Sequence, residues 1–428
     1  MKKLLSLQNK RELRLRMIKY EEKTLNSGLR VIVNEDRNTE LVAVNMLYKV
    51  GAKNEDENHT GFAHLFEHLM FSGSENFSDF DMLINSLGGE SNAFTNNDIT
   101  NFYVTVPYIY LETILRIEAD RMNNLLIDDW HLNVQKKVVC EEFKQRYLNQ
   151  PYGDLYKEMR ELSFKVHPYK WQTIGKDISH IESADLDTVK RFYDEYYLPN
   201  NAVLSISGKV KCEEVFELAE EIFCFPAGKE KQIRYSQEPI QKENRQKTVF
   251  RDVPSDIIMI TFPMCERKNK DFYTYDILSD LLSNGTSSRM YISLVQEKKA
   301  FTGIDAVLSG DDDKGLFIIV GKYSEGTSVE EGERLIWQTL EEICSGKISD
   351  REFEKVKNKY IVSAEFNNIQ ILDKAMNLGY YAHLDMLENI NNDKIHYSGI
   401  TKQEVVALAK QVFMENKHNT LYYLKERK

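Results

Sequence analysis

No apolar run in the 428 residues approaches the ~20 needed to cross a bilayer as a helix, so no membrane-spanning segment is expected. The first ten residues, Met1 to Lys10, carry the basic start of a secretion signal. Their apolar stretch breaks after about four residues, short of the roughly 7–15 that such a signal needs. The cysteines are Cys140, Cys212, Cys224, Cys265 and Cys344, an odd and scattered set without Cys-x-x-Cys spacing. A disulfide framework is therefore not expected, and the chain reads as a reduced, cytoplasmic protein. A surplus of positive charge is also missing: 56 basic against 67 acidic residues give a net charge of −11. That balance argues against a nucleic-acid surface and suits basic or unfolded peptides as partners. Histidine is sparse, with nine in the chain, and two of these stand four residues apart beside a glutamate.

Those two are His64 and His68 in the run Gly61 to Phe71, which has good helix formers and no proline. On a helix, residues i and i+4 share a face one turn apart, so both imidazoles can aim at one point. Glu67 falls beside them. Two imidazoles and a carboxylate, with one position left open, suit a catalytic zinc ion. The order His-x-x-Glu-His is the inverted form of the zinc-protease motif. The competing reading is that three polar residues share a helix face by chance, so a further ligand is needed elsewhere.

The segment Val138 to Phe143 offers Glu141 and Glu142. It belongs to a helix predicted over about 129–150, in which Trp130, Val134, Val138, Val139 and Phe143 recur near a 3.6-residue period and predict one buried stripe. At most one of the two glutamates can face the histidines, and a solvated pair is the plain alternative. Cys140, about 200° round the helix from Glu142, reads as buried packing.

From these motifs outward the chain resembles the M16 (pitrilysin or inverzincin) family of zinc metallopeptidases, which includes insulysin and the mitochondrial processing peptidase. Further blocks carry the likeness in family order: residues 88–100, 167–175, 196–203 and 287–291. The resemblance implies His64, His68 and Glu142 as ligands of one Zn2+ per chain and Glu67 as the general base of peptide-bond hydrolysis. Glu142, followed by Phe143, fits the family's ligand place better than Glu141. Where the family often has another glutamate two turns upstream, this chain has Gln135, which can hydrogen-bond behind the ligands but cannot ionise. Asn92, Ala93 and Phe94 match a strand edge that pairs with extended substrate. Arg289 matches an arginine that grips substrate backbone, but its usual tyrosine companion falls near Thr302, so that pair looks incomplete. A partner subunit could complete it. The resemblance implies either a homodimer or a heterodimer with a metal-free relative, closing a clamshell chamber around peptide. Its alternative is a catalytically weak or structural, chaperone-like subunit.

Along the chain, residues 1–17 read as an extension, 18–225 as the zinc-binding domain, 226–246 as a polar linker and 247–428 as a second, metal-free homologous domain. Each half closes on an amphipathic helix followed by a strand, a weak internal repeat. Clustered strands and helices predict an α+β fold: two homologous domains, each a mostly antiparallel sheet packed with helices.

Overall fold

The computed structural model describes residues 17–229, 235–310 and 312–426. Residues 1–16 of the proposed N-terminal extension and 230–234 of the proposed linker lie outside the described residues. Among those described, no helix is long and apolar enough to cross a membrane.

The chain forms two compact units. The first is built from the described residues within 1–141, 173–234 and 362–393, the second from those within 142–172, 235–361 and 394–428. The α+β expectation holds, but the units are not contiguous halves: each takes one segment from the other side of the linker. Sequence periodicity identifies such segments as helices without saying which sheet they will cover.

The first unit's sheet runs β1-β2-β6-β3-β5-β4. Its strands are β1 (Glu21–Thr24), β2 (Arg30–Glu35), β3 (Leu41–Tyr48), β4 (Glu90–Thr95), β5 (Thr100–Pro107) and β6 (Ala202–Gly208). β2 and β6 are parallel and every other pair is antiparallel. β3 is apolar on both faces and buried from Val42 onward, as a central strand must be. Its one polar residue, Asn45, is fully buried and satisfied: it accepts from Asn101 Nδ2 at 2.8 Å and donates to Ser205 Oγ at 3.1 Å. The helix Ile371–His383 covers this sheet. A side chain at Gly379 would put its Cβ 2.7 Å from Asn45 Nδ2 and 2.8 Å from Ser205 Oγ, so glycine permits the close approach.

The second unit's sheet runs β7-β11-β8-β10-β9. Its strands are β7 (Arg245–Arg251), β8 (Ile257–Pro263), β9 (Phe301–Ser309), β10 (Leu316–Tyr323) and β11 (Asn419–Lys425). β7 and β11 are parallel, the rest antiparallel. Setting β1 aside, strand order and the place of the parallel pair repeat those of the first sheet. The helix Leu155–Ser163 packs Leu155, Met159 and Leu162 against Val249, Met259, Leu421 and Tyr423. Ser163 Oγ lies 2.9 Å from Thr261 Oγ1, which accepts from Asn419 Nδ2 at 3.1 Å. Each unit thus pins a borrowed helix to its sheet through a short chain of buried polar groups.

Candidate metal centre

The helix Phe62–Leu69 joins β3 to β4 and carries the His-x-x-Glu-His motif. Phe62, Ala63, Leu65, Phe66 and Leu69 are buried, whereas His64, Glu67 and His68 stay partly exposed. The apolar face is clamped by aromatics, Phe66 stacking on Phe192 with ring centroids 5.5 Å apart and lying 4.9 Å from Tyr197. Burial pushes the Tyr197 phenol far up, with the Glu67 charge adding to the effect, so it stays protonated.

The start of this helix is unusual. Gly61 caps it at φ 91°, and a Cβ there would lie 2.6 Å from the Ile174 carbonyl oxygen. No side chain at the cap position serves the first amides. Instead the buried carboxylate of Glu55 accepts from the Gly61 amide at 2.8 Å and the Ala63 amide at 2.9 Å. A negative group at a helix N-terminus satisfies orphan donors and complements the dipole. Beneath it, Lys53 and Asp98 form a buried pair at 2.8 Å. The amides of Ala52 and Lys53 donate to the Asn96 and Asn97 carbonyls at 3.1 and 2.8 Å, tying the loop before the helix to the β4–β5 turn. Glu55, Lys53 and Asp98 escaped the sequence reading: Glu55 stands six residues before Gly61, outside any capping signature.

The distal helix, Asp129–Phe143, supplies the third side chain. Donor atoms of His64, His68 and Glu142 all lie within 4.8 Å of one another, the one such group of histidine, cysteine or acidic residues among the described residues. The His64 and His68 rings meet edge to face, centroids 4.9 Å apart. Glu141 is exposed and outside the group. The boundary between the compact units falls between Glu141 and Glu142, within the last turn of this continuous helix. The helix is shorter than the sequence suggests, passing at Lys144–Leu148 into a wider π-type turn. There Arg146 Nη1 sits 2.9 Å from Glu142 Oε1.

One expectation for the distal helix fails. Trp130, Val134 and Val138 are 68%, 37% and 46% exposed, while the buried apolar side is Leu132, Val139, Cys140 and Phe143. Periodicity located an apolar stripe correctly but not what covers it. Gln135 donates to Ser72 Oγ at 2.9 Å, linking this helix to the residues just past His68.

Glu67 is held from the other side. Thr95 Oγ1 donates to its Oε2 at 2.6 Å, connecting the motif helix to the end of β4. β4 is the edge strand of its sheet and pairs with β5 alone. The Asn96 amide bonds to the Ile99 carbonyl, so by antiparallel alternation Ala93, opposite Phe102, turns its amide and carbonyl to the open edge. In this structure the Ala93 amide donates to Asn92 Oδ1 at 2.8 Å. Phe94 is partly buried against the core cluster that includes Ile99 and Leu47.

Arg289 lies in the second unit, where the Glu352 carboxylate takes its Nε at 3.1 Å and Nη2 at 2.8 Å, and the Lys347 carbonyl takes Nη2 at 2.5 Å. Thr302 Oγ1 donates to the Lys322 carbonyl across the β9–β10 pair at 3.2 Å.

Two imidazoles and one carboxylate form a nitrogen–oxygen donor set suited to zinc. A tetrahedral ion about 2.0–2.2 Å from each donor needs donors roughly 3.4 Å apart. Small torsional adjustments of partly exposed side chains bridge that difference, so the residues present fit the ion.

The family described as Insulinase (Peptidase family M16) matches residues 30–163, and that described as Peptidase M16 inactive domain matches residues 183–360. The zinc protease PqqE of Helicobacter pylori is 28% identical over 411 residues, covering 94% of this chain and 92% of that protein. YmxG of Bacillus subtilis, described as an uncharacterized zinc protease, is 23% identical over 406 residues, 92% of this chain and 95% of its own length. The crystal structure of a protease from Helicobacter pylori superposes with a TM-score of 0.90 at 28% identity, over 95% of this chain and all (100%) of that one. A peptidase M16 inactive domain from Pseudomonas fluorescens matches with a TM-score of 0.86 at 15% identity over 96% of this chain and 99% of its own, a likeness of fold. With both domains matched in order on a repeated sheet, the chain belongs to peptidase family M16.

Proposed function

We propose that the protein is a zinc-dependent peptidase that hydrolyses extended or unfolded peptides. The observation that carries this reading is the convergence of His64, His68 and Glu142, with Glu67 on the same helix held by Thr95. His64, His68 and Glu142 would hold the zinc ion, which supplies Lewis acidity and draws down the pKa of a nearby water. Glu67 accepts the proton from the attacking water and delivers it to the departing amine. The Thr95 hydroxyl donates to Oε2 of this carboxylate and so fixes its orientation on the motif helix. The open edge of β4 at Asn92, Ala93 and Phe94 receives the peptide main chain by β-augmentation, for which Asn92 must first release the Ala93 amide. Arg289 grips substrate backbone in this scheme only after Glu352 lets it go. A second chain, a copy of this one or a metal-free relative, closes the chamber. The names of the Helicobacter and Bacillus relatives support zinc and proteolysis.

The word inactive attaches to residues 183–360, which contain none of His64, Glu67, His68 and Glu142. A structural subunit has no use for all four. Metal analysis and cleavage of a quenched, unstructured peptide by the purified chain test the proposal. One zinc per chain with turnover is the expected result. Stoichiometric zinc without turnover, alone or with a partner subunit, would favour the structural reading.

A further inference from the structure

Resting on that reading, we infer that Trp130, Val134 and Val138 form a binding track that selects apolar side chains of the peptide substrate away from the bond being cut. A single exposed apolar residue needs no explanation, but a line of three on one helix does. Their four-residue spacing advances the line about 40° round the helix at each step. The next step is Glu142, so the stripe winds into the metal cluster and is continuous with it.

Other contacts fix where this face points. From behind, Leu132, Val139, Cys140 and Phe143 bury the helix, and Lys136 Nζ donates to the Ala184 carbonyl at 2.7 Å. The lead-in to the helix is stitched to the loop after the motif helix: the Leu126 amide reaches the Gly73 carbonyl at 3.2 Å, and the Glu75 amide the Asn124 carbonyl at 3.0 Å. Gln135 adds its bond to Ser72 midway. The helix therefore runs alongside the residues that follow His68, and its stripe leads from that loop to the metal. Trp130 to Glu142 spans about 18 Å of helix. An extended peptide covers that length in roughly five or six residues. The exposed residues between the apolar ones, Asn133, Lys137 and Glu141, have no common sign. The track thus reads side-chain apolarity and not charge, which suits unfolded segments.

The test uses the full zinc-loaded chain and two quenched peptides sharing one scissile sequence. One carries leucines four to six residues from the cut, on either side in separate syntheses; the other carries serine and glutamine there. Wild type should favour the leucine peptide on one side by about tenfold in kcat/KM. A Trp130→Ala, Val134→Ser double variant, with zinc content and melting unchanged, should bring the ratio near 1. The control Ile109→Ser removes an apolar side chain that is 65% exposed elsewhere in the same unit and should keep the ratio. A ratio retained by the double variant overturns the track. So does a double variant that changes oligomeric mass instead, since the stripe would then meet another chain. If no peptide is cleaved despite stoichiometric zinc, the peptidase reading fails, and binding still decides the track. Trp171 is buried and Trp337 half-buried, so a blue shift on adding the leucine peptide reports Trp130. A shift with leucine and none with the polar peptide supports the track; no shift with either refutes it.

Discussion

The two units lay down the same sheet and treat the same connection in opposite ways. Between β3 and β4 the first unit places the motif helix; between β8 and β9 the second places Phe272–Leu282. The motif helix leaves His64, Glu67 and His68 partly open. In its counterpart every residue but Asp276 is buried. The helix that follows two connections later differs to match. In the first copy of the helix pair the distal helix brings Glu142 to the histidines. In the second, Asp350–Phe366 brings Lys359, whose Nζ meets Asp280 Oδ2 at 2.9 Å, and Tyr360, whose hydroxyl donates to the Asp276 carbonyl at 3.1 Å. Tyr397 then donates to Asp276 Oδ2 at 2.7 Å. One copy of the helix pair gathers donors fit for a cation; the other fills the same place with its own ion pair and phenols. A duplicated fold can keep chemistry in one copy because the other satisfies its polar groups internally.

The largest effect should come from removing the proton acceptor of the open copy. Glu67→Gln should lower turnover of an unstructured peptide by about 10²–10⁴-fold while one zinc per chain remains. Asp276→Asn, at the closed copy, should leave zinc binding untouched. Loss of zinc from the Glu67 variant with the fold intact would make Glu67 a ligand and redraw the comparison.

Next in size is the capping carboxylate. Glu55→Ala leaves the Gly61 and Ala63 amides without their buried acceptor and should cost about 2–3 kcal/mol in chemical denaturation. Zinc affinity should fall with it, because that helix orients both histidines. A variant as stable as wild type would show that the open copy does not depend on this cap.

How far the sequence carries toward this picture varies with the kind of signal. His64 and His68 are legible because their spacing is the helix repeat itself. Glu142 stands 74 residues after His68 by their positions, and only the family pattern separates it from Glu141. The motif helix, β3, β5 and the closing helix–strand pairs follow from local apolar pattern and turn residues. The exchange of 142–172 and 362–393 between units does not, since amphipathic helices look alike whichever sheet they cover. Trp130, Val134 and Val138 show the same limit: a period tells which residues share a face, and burial depends on what lies opposite. Glu55 acts through a loop closure that no local rule encodes.

A smaller effect concerns Arg289 in the second unit. Glu352 holds it in a two-pronged pair, and both side chains are mostly shielded, 13% and 21% exposed. Arg289→Met should therefore cost about 1–2 kcal/mol of stability. A drop in kcat/KM larger than the loss of stability accounts for would place this arginine on substrate, as the proposed function has it, and an unchanged kcat/KM would leave it a purely structural partner of Glu352.

The smallest expected effect separates the units by acid sensitivity. In the second, burial against Trp337 and Phe262 holds the His418 imidazole below its ordinary value, with Glu333 opposing and Lys417 assisting. The unfolded chain then takes up the proton first. This contribution is complete above about pH 6.5 and fades as pH falls toward the folded value. In the first unit, burial pushes Asp120 up, but hydrogen bonds from Asn124, Ser74 and Asn76 outweigh it and hold the carboxyl below its usual range. Its contribution is intact above about pH 3.9 and is lost only as pH drops through that lower folded value. Thermal melts between pH 8 and 3 should show His418→Asn flattening the upper part of the decline and Asp120→Asn the lower part. The reverse assignment would mean that charge pairing elsewhere, and not these two residues, sets the order in which the copies weaken.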